Sequence, residues 1–231
     1  MLATSVTFAY ARLHYAPDPN FMDTDDKLAV VAERALTTIS DSGGIPAICE
    51  AFYLHSILYP ARRSLASFER LSEITDPLAD AEPAISIAQE AIGHAAALSR
   101  FFWPGAPRKD TPAEVKKLHR ARARKLRKAF ALTRESALAR RHLRDTWEHF
   151  DERLDLYLLL TAGGLVFPEP IIDTHELADD PLGHVFKLLD PEAECLVLLG
   201  QKHFYGPIRA EVRRVHDQAV AFFRNGGRIP Q

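Results

Sequence analysis

The apolar and polar positions of this chain follow a helical period over most of its length. The longest clean stripe runs from Arg134 to Leu160, where Leu143, Trp147, Phe150, Leu154 and Leu158 recur at helical spacing. Asp145, Glu148, Asp151, Glu152 and Asp155 fill the outer face, and Arg144 and His149 flank the stripe. A cap signal at Thr133 to Ser136 opens this stretch, so one long helix is expected across it.

Four further helices are predicted. Acids from Asp23 to Asp26 start the first, Leu28, Val31, Ala35, Leu36 and Ile39 follow at helical spacing, and Asp41-Ser42-Gly43-Gly44 stops it. The second covers Ile45 to Glu73, with Pro60 expected to kink or break it after Leu58. A turn at Asp76-Pro77 leads to the third, Glu82 to Phe102, alanine-rich, with Ile85, Ala88, Ile92, Ala95 and Leu98 on one side. Thr111 and Pro112 are the N-cap and first-turn signals of the fourth, whose apolar positions are few: Val115, Leu118, Leu126 and Phe130.

The character changes after Ala162-Gly163-Gly164. Prolines at 168, 170 and 181 predict irregular structure. Cys195–Leu199 and His203–Tyr205 read as two antiparallel strands around a turn at Gly200-Gln201-Lys202, with a third strand at Val185–Leu188. A last helix runs from Pro207 to about Phe223, burying Ile208, Val212, Val215, Ala219 and Phe222, and Asn225-Gly226-Gly227 ends it. The fold class is therefore mainly α: one domain over 1–231, a bundle of five to six helices with a small antiparallel β element before the C-terminal helix. Residues 1–22 read as an N-terminal arm and 165–206 as the irregular or β insertion.

Composition agrees with one globular core: 47% of residues are hydrophobic, which excludes a disordered chain. No apolar run approaches the roughly 20 residues a membrane span needs, and the first residues lack the basic start of a secretory signal. The two cysteines, Cys49 and Cys195, have no metal or redox spacing and read as buried thiols of a cytoplasmic protein. Charge alters the picture more. The net charge of −2 conceals fourteen Lys and Arg against three acids between Gly105 and Arg144, a local +11 that leaves −13 for the rest. Lys116, Lys117, Arg120, Arg124, Arg127 and Lys128 form the cationic face expected to bind a polyanion such as RNA. The run holds no aromatic residue before Phe130, so phosphate contact is expected rather than base stacking.

The sequence has no phosphate loop, nucleophile elbow or zincin motif, and no histidine follows an acid at the Glu-x-x-His spacing of a di-metal bundle. Glu90 with His94, and Asp173, His175 and Glu176 in a loop, are read as hydrogen-bonded groups rather than metal ligands. No cofactor is expected.

One constellation carries a chemistry. Arg144-Asp145-Thr146-Trp147-Glu148-His149, with its continuation EHFDERLD, resembles the HEPN superfamily, all-α bundles marked by Arg, four to six residues, then His. Those proteins typically place Asn, His or Asp directly after the Arg, as Asp145 is placed here; Arg209 and His216 share the spacing, but Ala210 follows that arginine. The resemblance implies metal-independent endoribonuclease activity or an RNA-binding relative, in a toxin, defence or stress setting. His149 would transfer protons at the ribose 2′-hydroxyl or the leaving oxygen, Arg144 would hold the phosphate, and Asp145 would orient one of these groups. It also implies a homodimer through this helix, and a protein partner or antitoxin; where the branch that pairs with nucleotidyltransferase antitoxins often has Tyr two residues after the His, this chain has Asp151. A second expectation is a non-catalytic HEPN-like module that binds a protein or nucleotide. Five residues of ideal helix separate Arg144 and His149 by about 140°, so a two-fold dimer is needed to bring one chain's arginine to the other's histidine.

Overall fold

The computed structural model describes residues 24–74, 81–140, 142–160, 163–180 and 183–230. The arm read over residues 1–22, the turn at Asp76-Pro77 and Pro181 lie outside the described residues. Seven α-helices occur among those described: α1 (Thr24–Ser42), α2 (Glu50–Ser72), α3 (Ala81–Phe102), α4 (Ala113–Ala129), α5 (His142–Glu148), α6 (Phe150–Leu160) and α7 (Gly206–Arg224). The chain is thus mainly helical, with a small sheet region before the last helix. No described helix is long and apolar enough to cross a membrane.

α2 is the axis. It packs along α3 and α7, and α1 lies along α4. Leu54, Ile57, Leu58 and Ala61 of α2 meet Ala95, Leu98 and Phe102 of α3, Leu126 of α4, and Val212, Val215 and Ala219 of α7 in one core. The stripes expected on α3 and α7 are those that bury, with Ile208 and Phe222 packed at the margin. Phe130, just past α4, stands edge-on to Phe102 at 5.3 Å and to Phe222 at 5.1 Å, which ties the end of α4 to α3 and α7. α2 runs through Pro60 without interruption, contrary to the expected break; Pro60 is itself buried, and packing outweighs the one backbone bond it removes.

The predicted helix over Arg134–Leu160 does not form as one element. Residues Ala137–Ala139 make a single 3₁₀ turn, Arg140 is extended, and the α-helix begins at His142 and is interrupted at His149. The cause is competition from side chains. Thr133 N donates to Ser136 Oγ and Glu135 N to Thr133 Oγ1, closing a local turn. Leu138 N then donates to Glu211 of α7 at 3.0 Å, and Leu138 O accepts from Ser99 of α3 at 2.6 Å, so its backbone bonds are spent on neighbours. Leu143 and Thr146 are buried, Trp147 and Phe150 partly, and α6 buries no residue.

Six short strands follow: β1 (Leu165–Phe167), β2 (Ile171–Ile172), β3 (Gly183–Val185), β4 (Lys187–Asp190), β5 (Cys195–Leu198) and β6 (Gln201–Phe204). β1 and β3 form a parallel pair, and the larger sheet has the order β2-β4-β5-β6. Its β4–β5 and β5–β6 pairs are antiparallel as expected, whereas β2 runs parallel to β4. The turn after β5 is Leu199-Gly200, both with positive φ (50° and 72°), one residue earlier than predicted; this two-residue turn matches strand twist. Alternation divides the sheet: Leu189, Leu196 and Leu198 face the helices, and Leu188, Cys195 and Val197 face a smaller cluster under Phe167, Ile171 and Leu177. Cys49 and Cys195 are free thiols.

Two buried carboxylates fasten these layers. Glu50, at the start of α2 and 2% exposed, accepts from Lys125 Nζ at 3.0 Å, Arg228 Nε at 2.8 Å and Ile229 N at 3.1 Å. Burial pushes its pKa up, but these donors outweigh it and hold the carboxyl below its ordinary value. Asp190, at the end of β4, accepts from Ala193 N at 2.9 Å and from His175 N and Nδ1 at 2.9 and 2.7 Å. Burial again acts upward and is outweighed. His203 on β6 is the opposite case: burial, then the charges of His142 and Arg153, lower its pKa to about 4, and its Nε2 is buried without a hydrogen-bond partner.

Removing Glu50 leaves Lys125 without its buried counter-charge, so Glu50→Ala is expected to cost about 3–5 kcal/mol of unfolding free energy, read from the urea midpoint. The pH dependence has one sign for all three groups. Carboxylates with depressed folded values stabilise above their ordinary pKa and lose that contribution as pH falls through the folded value. For His203 the unfolded chain takes up its proton first, near 6.5, and the folded chain only near 4. Stability should fall by about 3 kcal/mol across that window, and His203→Gln should flatten this part of the profile.

Candidate nucleic-acid interface and the Arg144 site

α4 is built from two faces. Inward lie Ala121, Ala123 and Leu126, small or apolar side chains that admit close packing. Lys125 also turns inward and spends its ammonium on Ser42 O at 3.2 Å, Ile45 O at 3.1 Å and Glu50. Arg122 lies over the Tyr53 ring, 5.8 Å from its centre. The α1–α2 turn comes so close that a Cβ on Gly44 would stand 2.6 Å from Arg122 N; with φ at +101°, only glycine serves there. Outward lie Lys117, Arg120, Arg124 and Lys128, all exposed.

Three of the outward cations border a groove closed on its other side by the end of α3. Lys117, Arg120, Arg124 and Arg127 line it together with Trp103, Pro104 and Arg134, and no carboxylate does. Arg127 is fixed there by donating to Phe102 O. Burial, then the charges of Arg124 and Arg134, press its pKa down, which reports how densely cations gather here. Four of the six cations expected to bind RNA therefore share one groove. Lys116 is half-buried and does not line it, and Lys128 borders a separate hollow beside Glu50, Arg124 and Arg228. Trp103 and Arg134 join from flanking segments. The sequence signal for Trp103 was its position after Phe101-Phe102 at the end of α3; inspecting the basic run alone overlooks it, and the groove contains an aromatic ring after all.

The Arg144 helix is organised by ion pairs. Arg144 donates from Nε at 3.1 Å and Nη2 at 2.7 Å to Asp145 Oδ1, and its Nε lies 3.4 Å from Glu148. Asp145 thus orients the guanidinium by direct contact. Glu148 also pairs with Arg100 of α3 at 3.7 Å. His149 sits at the helix interruption, 57% exposed, with Nδ1 3.7 Å from Glu152. Arg144 and His149 therefore engage different acids. Arg144 borders a second cavity, on the far side of Pro104 from the groove, with Arg100, His119 and Arg122. His119 has no place in the Arg-x4-His spacing and was not among the residues expected at the site; only the fold brings it near Arg144.

The two acid–histidine groups considered for metals have other partners. Glu90 accepts from Arg63 at 3.2 Å and Arg70 at 3.0 Å, with His94 at 3.7 Å, and His175 is committed to Asp190. Among the described residues no cluster of three or more His, Cys, Asp or Glu is arranged to hold a metal ion.

Compared with protein-family models, curated proteins and solved structures, the chain matches none.

Because His149 and Lys117 are exposed and pack into no core, His149→Ala and Lys117→Ala should each change unfolding free energy by no more than about 0.5 kcal/mol in urea titrations. Any larger functional effect of either substitution then reports on chemistry rather than folding.

Proposed function

We propose that this chain is an RNA-binding protein of HEPN type that cleaves RNA without a metal, in a toxin, defence or stress setting. The observation that carries the proposal is the groove of α4: five cations around Trp103, with no acid in its lining. Such a surface takes a phosphate backbone by counterion release. Guanidiniums are suited to phosphate because their planar forks match its oxygens.

Cleavage rests on Arg144 and His149. The neutral imidazole of His149 takes the 2′-hydroxyl proton, the oxygen attacks the adjacent phosphorus, and the P–O5′ bond breaks as the resulting imidazolium returns the proton to the 5′-oxygen. Arg144 stabilises the charge that builds on the phosphoryl oxygens, and Asp145 holds it in place. Since Arg144 lies in α5 and His149 at the break after it, each engaged to a different acid, the reading requires a homodimer that pairs these segments. The bare leucines of α6 support it: Leu156, Leu158, Leu159 and Leu160 are 50–84% exposed, more than a lone helix surface normally leaves to water.

The same bare leucines favour a second reading, a non-catalytic module that docks a protein partner through α6. Arg144 already neutralised by Asp145 and Glu148 points the same way.

Binding of a single-stranded RNA pool should weaken steeply with salt, with a log–log slope of about −3 to −4 if the five groove cations are all engaged, and Arg124→Ala should reduce that slope by about 0.7. In excess EDTA the wild type should cut the pool and His149→Ala should bind without cutting. Salt-dependent binding with no cutting by either protein selects the interaction module. Absence of salt-dependent binding sinks the RNA reading altogether.

A further inference from the structure

Pro104 lines two cavities. One is the cationic groove. The other, of about 530 Å³, lies between Arg100 of α3, the turn from Pro104 to Pro107, His119 and Arg122 of α4, and Arg144 of α5. That volume suits a nucleotide-sized group. Three guanidiniums and one imidazole from three helices line it, and no carboxylate does.

The arginines are held for an anion in different ways. Glu148, outside the lining, pairs with both Arg100 and Arg144 and keeps them side by side while offsetting part of their charge. Asp145 offsets a further part of Arg144. Among the described residues Arg122 has no such offset: its Nε is buried with no hydrogen-bond partner, and its guanidinium lies by the face of Tyr53. A buried donor left unpaired is unfavourable, and the group that would satisfy it is an acceptor. The backbone beneath it is fixed by the close approach of Gly44.

We infer that this cavity binds a phosphate group of an RNA strand lying in the adjoining groove, with Arg100, Arg122 and Arg144 as its cationic ligands and His119 as a hydrogen-bond donor. The inference rests on the RNA-binding reading for the source of the phosphate. Burial, and then the charge of Arg122, hold His119 below its ordinary pKa, so at pH 7 the ring is neutral and retains one N–H to donate. His149 does not line this cavity. Within one protomer, the histidine that shares space with Arg144 is therefore His119.

The test follows the histidine C2–H resonances of the full chain during titration with inorganic phosphate and, separately, with a short oligoribonucleotide. The His119 signal should move saturably with both. Arg122→Gln should weaken the phosphate response by about tenfold or more, as loss of a charge-assisted bond requires. Arg100→Gln, at an exposed position, should weaken it in the same direction and serves if Arg122→Gln does not fold. A His119 signal indifferent to phosphate, or a response unchanged in Arg100→Gln and in a folded Arg122→Gln, overturns the inference. RNA held in the groove with His119 silent overturns it too and leaves the proposed function intact. If phosphate moves His119 while RNA binds nowhere, the proposed function falls and the anion site stands.

Discussion

The constraint on which the rest of this structure depends is the buried carboxylate of Glu50. It receives donors from α4 and from the segment after α7, two regions separated in sequence by about a hundred residues. Its chief partner, Lys125, uses its other two donors on the carbonyls of Ser42 and Ile45, the end of α1 and the turn that follows. One ion pair thus joins α1, α2, α4 and the C-terminal segment. Ion pairs of this kind specify arrangement more than they add stability, because desolvation offsets most of the attraction. What is specified here is the rotation of α4. With Lys125 and Leu126 turned inward, Lys117, Arg120, Arg124 and Lys128 face outward, three or four residues apart on one face. The groove depends on how that bond turns the helix.

Against that basic face stands the acidic surface of α5 and α6. Asp145, Glu148, Asp151, Glu152 and Asp155 are concentrated there, and two of them are spent on Arg144. The near-zero net charge of the chain is therefore a sum of two opposed fields rather than a neutral surface. A polyanion is drawn to α4 and repelled from α6, so a strand bound in the groove meets Arg144 from the α4 side, past Pro104. The same asymmetry makes the α6 surface, acidic and studded with bare leucines, better suited to a protein than to nucleic acid.

Where the fold was legible in the sequence, local preference and tertiary packing agreed. The stripe Ile85, Ala88, Ile92, Ala95 and Leu98 is buried throughout, and Val212, Val215 and Ala219 form the inner face of α7. Periodicity misled between Arg134 and Leu160, because it records which faces are apolar and not what covers them. Leu158 lies on the stripe and in the solvent, while Leu138 leaves the helical pattern for bonds to Ser99 and Glu211, which are distant in sequence. Pro60 misled for the converse reason, since packing on two helices overrides one lost backbone bond. For the candidate site, the cations of α4 were visible as composition, but their division into groove, ion pair and cavity was not: Lys116, Arg122 and Lys125 are indistinguishable from Lys117 and Arg124 until the helix is docked.

That division bears on which histidine can act with Arg144. A motif defined by spacing along one helix selects His149, yet His149 sits at the break after α5 and pairs with Glu152. Docking α4 and α5 each against α3 instead brings His119 to the Arg144 cavity from another element. The two arrangements differ in what they ask of the protein. Pairing with His149 needs a second copy and the burial of α6, whereas pairing with His119 is complete in one protomer but places a neutral ring among guanidiniums, suited to donating a hydrogen bond and poorly suited to holding an extra proton. A ring in that field binds a phosphate more readily than it protonates a leaving group. On the proposed readings the two histidines would divide binding from proton transfer, and only the second of these tasks would require the helices of two chains to meet.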